Sequence, residues 1–149
     1  MMPDAPVHAS AIAVNGEGVL ILGPSGSGKS TLTLQIAALG GTLISDDRVI
    51  LRRSANTIMA SAPDSIAGLI EARGIGLIRV PHHPAPIRMV VDLGQPETRR
   101  LPPIRHTLVK EISLPLVPGP LSAHLASVIC LLLRGGSIDP QAGLPPETR

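Results

Sequence analysis

Along the chain, apolar and polar positions predict a strand over Val7–Val14, closed by Asn15-Gly16, a pair that tolerates positive φ and marks a tight turn. Val19-Leu20-Ile21-Leu22 follows as an unbroken apolar run, the pattern of a buried strand. From about Ser30 to Leu39, the apolar positions Leu32, Leu34, Ile36 and Leu39 predict a helix that stops at Gly40-Gly41. Thr42–Ser45 predicts a short strand ending in Asp46-Asp47, and Val49–Arg53 with Thr57–Ser61 predicts a hairpin around Ser54-Ala55-Asn56. Two further strands, Leu77–Val80 and Ile87–Leu93, are separated by the proline-rich stretch Pro81–Pro86. Leu121–Leu133 predicts a second helix, and Gly135–Arg149 a flexible C-terminal tail, leaving 1–134 as one domain. Strands outnumber helices, so the expected class is α/β, a mixed sheet with few helices packed against it.

Composition narrows the functional classes. The 149 residues are 44% hydrophobic and 16% charged, against a usual charged share of roughly 25%. Phe, Tyr and Trp are absent, while there are 16 prolines and 15 glycines. The core must therefore be aliphatic. Nucleic-acid platforms that stack bases on aromatic rings are excluded, as is disorder throughout. No window is long and apolar enough for a membrane span. A net charge of +2 from scattered basic residues makes no patch for DNA. One cysteine, Cys130, permits no disulfide within the chain. With no basic, apolar leader at Met1–Ser10, the cytoplasm is the expected location.

The strongest chemical signal is Gly23-Pro24-Ser25-Gly26-Ser27-Gly28-Lys29-Ser30, a complete GxxxxGK[ST] phosphate loop followed by Thr31. An apolar strand leads in and a helical pattern leads out, as the motif requires. Its glycines let backbone N–H groups turn around phosphate oxygens, and the helix start adds a favourable dipole. Lys29 is expected on the β- and γ-phosphates and Ser30 on Mg²⁺, with ATP as the nucleotide.

Asp46 and Asp47 follow Lys29 by 17 and 18 residues, the economy of a βαβ crossover. That geometry brings the end of the strand beside the loop, and strand alternation sends the two carboxylates different ways. One is placed for the Mg²⁺ shell and the other for an acceptor hydroxyl; the bland alternative is a polar strand end. Glu71 and Arg73 share one face if their stretch is extended. They suit either a surface ion pair or a carboxylate for Mg²⁺ with an arginine for phosphate charge. Hairpin pairing alone puts His8 near the start of the entering strand or beyond it, where it reads as a tolerated strand histidine. His82-His83 has flanking prolines and no evident third ligand, which favours a solvated loop.

Four stretches together resemble the HPr kinase/phosphorylase family, specifically its C-terminal catalytic domain: His8-Ala9-Ser10, the phosphate loop, Leu43–Val49, and Gly68–Gly76. The similarity runs from about Val7 to Leu133 and is greatest to short forms lacking the family's N-terminal domain, as in alphaproteobacteria. It implies the phosphoenolpyruvate-carboxykinase-like version of the phosphate-loop fold. It further implies that Asp47 is the acid/base aspartate toward a serine hydroxyl of HPr. By the same resemblance Ser30 and Glu71 are Mg²⁺ ligands, with Asp46 supporting the metal shell. Lys29, His8 and Arg73 match catalytic positions, and Arg100 matches a catalytic arginine through a gapped alignment. Thr31 stands where many members carry an acidic residue. Pro115–Pro120 contains no basic residue where longer members carry arginines linked to phosphate removal. Kinase activity is therefore expected ahead of phosphorylase activity.

The resulting expectation is an ATP-dependent protein-serine kinase acting on the phosphocarrier HPr. Alternatives are a small-molecule kinase on the same loop and a nucleotide-sensing module that has lost transfer. The resemblance implies a homo-oligomer, commonly a hexamer in the family, though no residue fixes assembly, and it leaves a regulatory partner open. Without aromatic rings, adenine must rest on aliphatic side chains or backbone, which predicts loose discrimination between bases.

Overall fold

A computed structural model describes residues 5–96 and 104–136. The chain begins with β1 (Val7–His8) and β2 (Ser10–Val14), turns at Asn15-Gly16 into β3 (Glu17–Leu22), and enters α1 (Lys29–Ala38). Next come β4 (Thr42–Ser45), the hairpin β5 (Arg48–Ser54) and β6 (Thr57–Ser61), and a 3-10 turn at Asp64–Ile66. A second hairpin, β7 (Leu69–Ala72) and β8 (Gly76–Arg79), precedes the long β9 (Ala85–Asp92). The described chain closes with β10 (Arg105–Val109), β11 (Ile112–Pro118) and α2 (Leu125–Leu133).

The main sheet runs β1-β5-β6-β9-β3-β2-β4, and β7 pairs with β8 apart from it. The strand β9 is the hinge of the assembly. It runs parallel to β3 along much of its length, pairs with β6 at its start, and runs parallel to β11 near its end. Splitting its partners in this way makes the sheet curl. At the β3–β9 register shift, a Cβ on Gly18 would lie 2.7 Å from the Pro86 carbonyl oxygen, so the close approach there needs glycine.

Both faces of the central strands are buried. Ile12, Val14, Val19, Ile21, Met89 and Val91 pack under α1 and α2 with Leu32, Ile36 and Ile129. The alternate positions Ala11, Ala13, Leu20 and Val90 meet Val49, Leu51, Ile58 and Leu114, supplied by the curl of the sheet. Double coverage explains why β2, β3 and β9 read as near-continuous apolar runs.

Because β2 lies antiparallel between β3 and β4, the latter two strands run parallel and both end at the phosphate-loop edge. At the β2–β4 register shift, Ile12 faces Leu43 while Ala11 faces Ser45, leaving Ile44 as an extra residue. This bulge advances β4 by one residue and carries Asp46 toward Ser10.

The pattern-based reading differs from the structure in four places. The single strand expected over Val7–Val14 breaks at Ala9, where the chain leaves β5 and joins β3 and β4. The hairpin β7–β8 gains a first strand, and β10–β11 forms where no element is expected, because Pro115 and Pro118 mask the strand pattern of Ile112–Pro118. The second helix starts at Leu125 instead of Leu121, since Leu121 packs against Gly28. The proposed tail over 135–149 falls outside the described residues from 137 onward.

Candidate active site

The phosphate loop joins β3 to α1 through glycines in conformations that side chains rarely adopt: φ is 150° at Gly23, 84° at Gly26 and 102° at Gly28. A Cβ at Gly28 would meet Leu121 Cδ2 at 2.8 Å, whereas at Gly26 nothing lies within 4 Å. Leu121 thus buttresses one wall and the middle of the loop stays open. Lys29 Nζ donates to the carbonyls of Gly23 (2.7 Å) and Pro24 (3.2 Å), folding its ammonium across the loop. The Ser27 hydroxyl is buried without a hydrogen-bond partner among the described residues. A backbone cradle, a folded-in ammonium and a spare hydroxyl fit a polyphosphate.

Asp46 ties three elements together. It is 5% exposed, yet it is surrounded by donors. Ser10 Oγ donates to its Oδ1 at 2.7 Å, Ser30 Oγ lies 2.8 and 3.0 Å from its two oxygens, and the Glu71 backbone N–H donates to Oδ2 at 3.1 Å. Donors on every side satisfy a buried carboxylate that would otherwise be costly.

Asp47 points elsewhere. Its φ of 72° lies in the left-handed region, which Asp tolerates better than most residues but which still stores strain. Its carbonyl accepts from Ala9 N–H at 3.2 Å and its own N–H donates to Ser10 Oγ at 3.2 Å. Held there, its carboxylate is 64% exposed and lies 3.0 Å from His8 Nε2. The hairpin explains the meeting. Ser10 pairs with Ile21 near the end of β3, so His8 sits at the loop edge and not near the start of the entering strand, correcting the placement from hairpin pairing alone.

One cavity of about 490 Å³ is lined by His8, Ser10, residues 25–31, Asp47, Glu71, Arg73 and Leu121. Of the residues singled out in the sequence, His8, Lys29, Ser30, Thr31, Asp47, Glu71 and Arg73 therefore share one space, with Asp46 bonded behind Ser30. Gly23 and Pro24 serve as carbonyl acceptors for Lys29. Glu71 extends from β7 and Arg73 from the turn that follows it. Arg100 lies outside the described residues. The sequence reading gave no role to Ser10 or Leu121. Each reaches the site through long-range folding, which leaves no local signal.

Among the described residues no group of three or more His, Cys, Asp and Glu side chains is placed to hold a metal alone. The donor set of Ser30, Asp46 and Glu71 fits a cation shared with phosphate oxygens and water, the usual manner of Mg²⁺. His82 and His83 are exposed on a segment bridged to Leu43 of β4, where His83 Nδ1 contacts the Pro84 carbonyl at 2.7 Å. Cys130 is 2% exposed, and burial pushes its thiol up from the ordinary value against a smaller opposing effect of Arg134. That environment keeps it protonated and unreactive.

Fold and cradle define a phosphate-loop domain with a mixed, curled sheet, its cavity edged by the Asp47 carboxylate against His8. Residues 1–84 match the model of the HPr Serine kinase C-terminal domain, and the chain belongs to that family. Its relatives include HPr kinase/phosphorylases of Clostridium botulinum (strain Eklund 17B / Type B), 41% identical over 80 residues, and of Caldicellulosiruptor bescii, 43% identical over 81 residues. Each match covers 54% of this chain and 26% of the relative, so the chain matches about a quarter of the length of these proteins. The solved structure of the Hpr(Ser) kinase/phosphatase from Coxiella burnetii superposes with a TM-score of 0.75 at 26% identity, over 88% of this chain and 95% of that one. Among the described residues no helix is long and apolar enough to cross a membrane.

Proposed function

We propose that this protein is an ATP-dependent protein-serine kinase whose acceptor is a serine of the phosphocarrier HPr. The observation that carries the reading is the Asp47 carboxylate, braced by His8 at 3.0 Å and opening into the same cavity as Lys29 and Ser30. A serine hydroxyl is a poor nucleophile, and a carboxylate beside the phosphate cradle supplies the base it needs.

In this reading the backbone of residues 23–28 and the Lys29 ammonium bind and orient the triphosphate. Ser30, Asp46 and Glu71 would hold Mg²⁺, which when bound would neutralise phosphate charge. Asp47 accepts the proton from the acceptor hydroxyl as its oxygen bonds to the γ-phosphorus and the bond to the ADP oxygen breaks. His8 fixes the Asp47 carboxylate for that transfer, and Arg73 offsets charge on the transferred group. In reverse, an oxygen of inorganic phosphate bonds to the phosphorus, and its proton passes to Asp47 and on to the seryl oxygen as the P–O bond to serine breaks, releasing pyrophosphate. Because residues 115–120 carry no basic side chain, the forward direction is expected to dominate.

Incubation with labelled ATP, Mg²⁺ and HPr tests the reading. Label on a serine of HPr, abolished by chelation, supports it; tight ATP binding without label on HPr favours the nucleotide-sensing module. Phosphoserine-HPr given inorganic phosphate is expected to lose little of its phosphate.

A further inference from the structure

Resting on the kinase reading, we propose that Ser10 is a positioning residue whose hydroxyl couples the metal-side carboxylate of Asp46 to the acceptor-side Asp47. Ser10 heads β2 and is fully buried. Its Oγ donates to Asp46 Oδ1 at 2.7 Å and accepts from the Asp47 N–H at 3.2 Å. One hydroxyl has a single proton to donate and lone pairs to accept with, so each role here goes to a different aspartate.

Both bonds bear on the site. By holding Asp46, Ser10 keeps that carboxylate where it accepts from Ser30 Oγ, which leaves the Ser30 lone pairs for the cation. By accepting from Asp47 N–H, it helps fix a left-handed backbone that aims the Asp47 side chain at His8. Packing does not ask for a hydroxyl. Alanine differs from serine here only by the lost hydroxyl, so it enters this fully buried place without a clash. The bulge at Ile44 supplies the register that brings Asp46 toward Ser10. A register device and a buried hydroxyl thus converge on the same pair of carboxylates.

The test compares wild type with Ser10→Ala and Ser10→Thr. Thermal unfolding checks that each variant folds; if Ser10→Ala does not, Ser10→Cys, nearly isosteric and a weak donor, replaces it. Nucleotide binding is titrated with ATP in chelator and again with increasing Mg²⁺. The expected result is unchanged metal-free ATP binding with a Mg²⁺ half-saturation raised about 10–100-fold in Ser10→Ala, the range seen when groups that orient metal ligands are lost. For HPr phosphorylation, kcat falls by a similar factor while KM for HPr holds, and Ser10→Thr, which keeps the hydroxyl, restores both readings. A folded Ser10→Ala with wild-type Mg²⁺ dependence and kcat overturns the proposal, as does a loss that Ser10→Thr fails to recover. If wild type itself transfers nothing to HPr, the kinase reading falls. The Mg²⁺ titration needs no transfer and still decides the role of Ser10.

Discussion

Asp46 and Asp47 are adjacent in sequence and opposite in circumstance. One is buried and bonded to Ser10, Ser30 and the Glu71 backbone; the other is exposed and leans on His8. Under the proposed function, that division suits the first to the cation and the second to the acceptor. Asp47→Asn keeps the shape but removes the base, so transfer should fall about 10²–10⁴-fold, the usual worth of a positioned base. Calorimetric titration should show ATP affinity unchanged. An equal loss of binding would mean that Asp47 serves the nucleotide instead. At this scale the sequence was most informative where chemistry is written locally. The glycines, Lys29 and Ser30 sit in a fixed motif, and the strand-then-turn pattern marks Asp46-Asp47. Ser10 stood in the stretch His8-Ala9-Ser10 without a role of its own, because its bonds to Asp46 and Asp47 exist only once β2 and β4 have met.

Between elements, the loop is held by what packs on it. Gly28 sits at φ 102° with Leu121 against it, so Gly28→Ala must both strain the backbone and displace Leu121. Such a residue costs of order 1–3 kcal/mol in backbone strain alone. The variant should lose nucleotide binding by calorimetry while retaining the far-ultraviolet circular dichroism of the folded sheet. On α2, Cys130 offers an independent check of the packing. Its buried, raised thiol should resist a disulfide-exchange reagent at pH 8 in the native protein and react fully after denaturation. Rapid reaction of the native thiol would show that α2 does not sit as described. The limits of β4 were legible from Thr42–Ser45, and α1 was displaced by a single residue. The strand break at Ala9, the bulge at Ile44 and the β10–β11 hairpin were not. The first two arise from a choice of partner strand, of which periodicity along the chain carries no record, and the third is masked by Pro115 and Pro118.

Across the whole molecule, an aliphatic core buried on both faces of a curled sheet accounts for a chain with no aromatic residue. The cavity reflects the same composition: its lining is mainly phosphate-loop and polar side chains, with Leu121 as an aliphatic wall. Binding energy should therefore come from the triphosphate and its cation more than from the base. Competition titration should find ATP and GTP within about 10-fold, a span of 1.4 kcal/mol. A much larger preference for ATP would require base contacts beyond the described residues. The mixed-sheet class and the few helices followed from the sequence, because long apolar strands and only two helical stretches leave little else to build. The curl did not, since it depends on β9 sharing itself among three partners.

The central claim is that this cavity moves the γ-phosphoryl group of ATP to a serine hydroxyl of a protein. The most direct measurement is mass spectrometry of HPr after incubation with ATP, Mg²⁺ and the wild-type chain, beside Asp47→Asn under the same conditions. The account predicts a phosphoserine on HPr with wild type and almost none with Asp47→Asn. HPr left unmodified by a wild-type chain that binds ATP, or modified equally by both proteins, would contradict it.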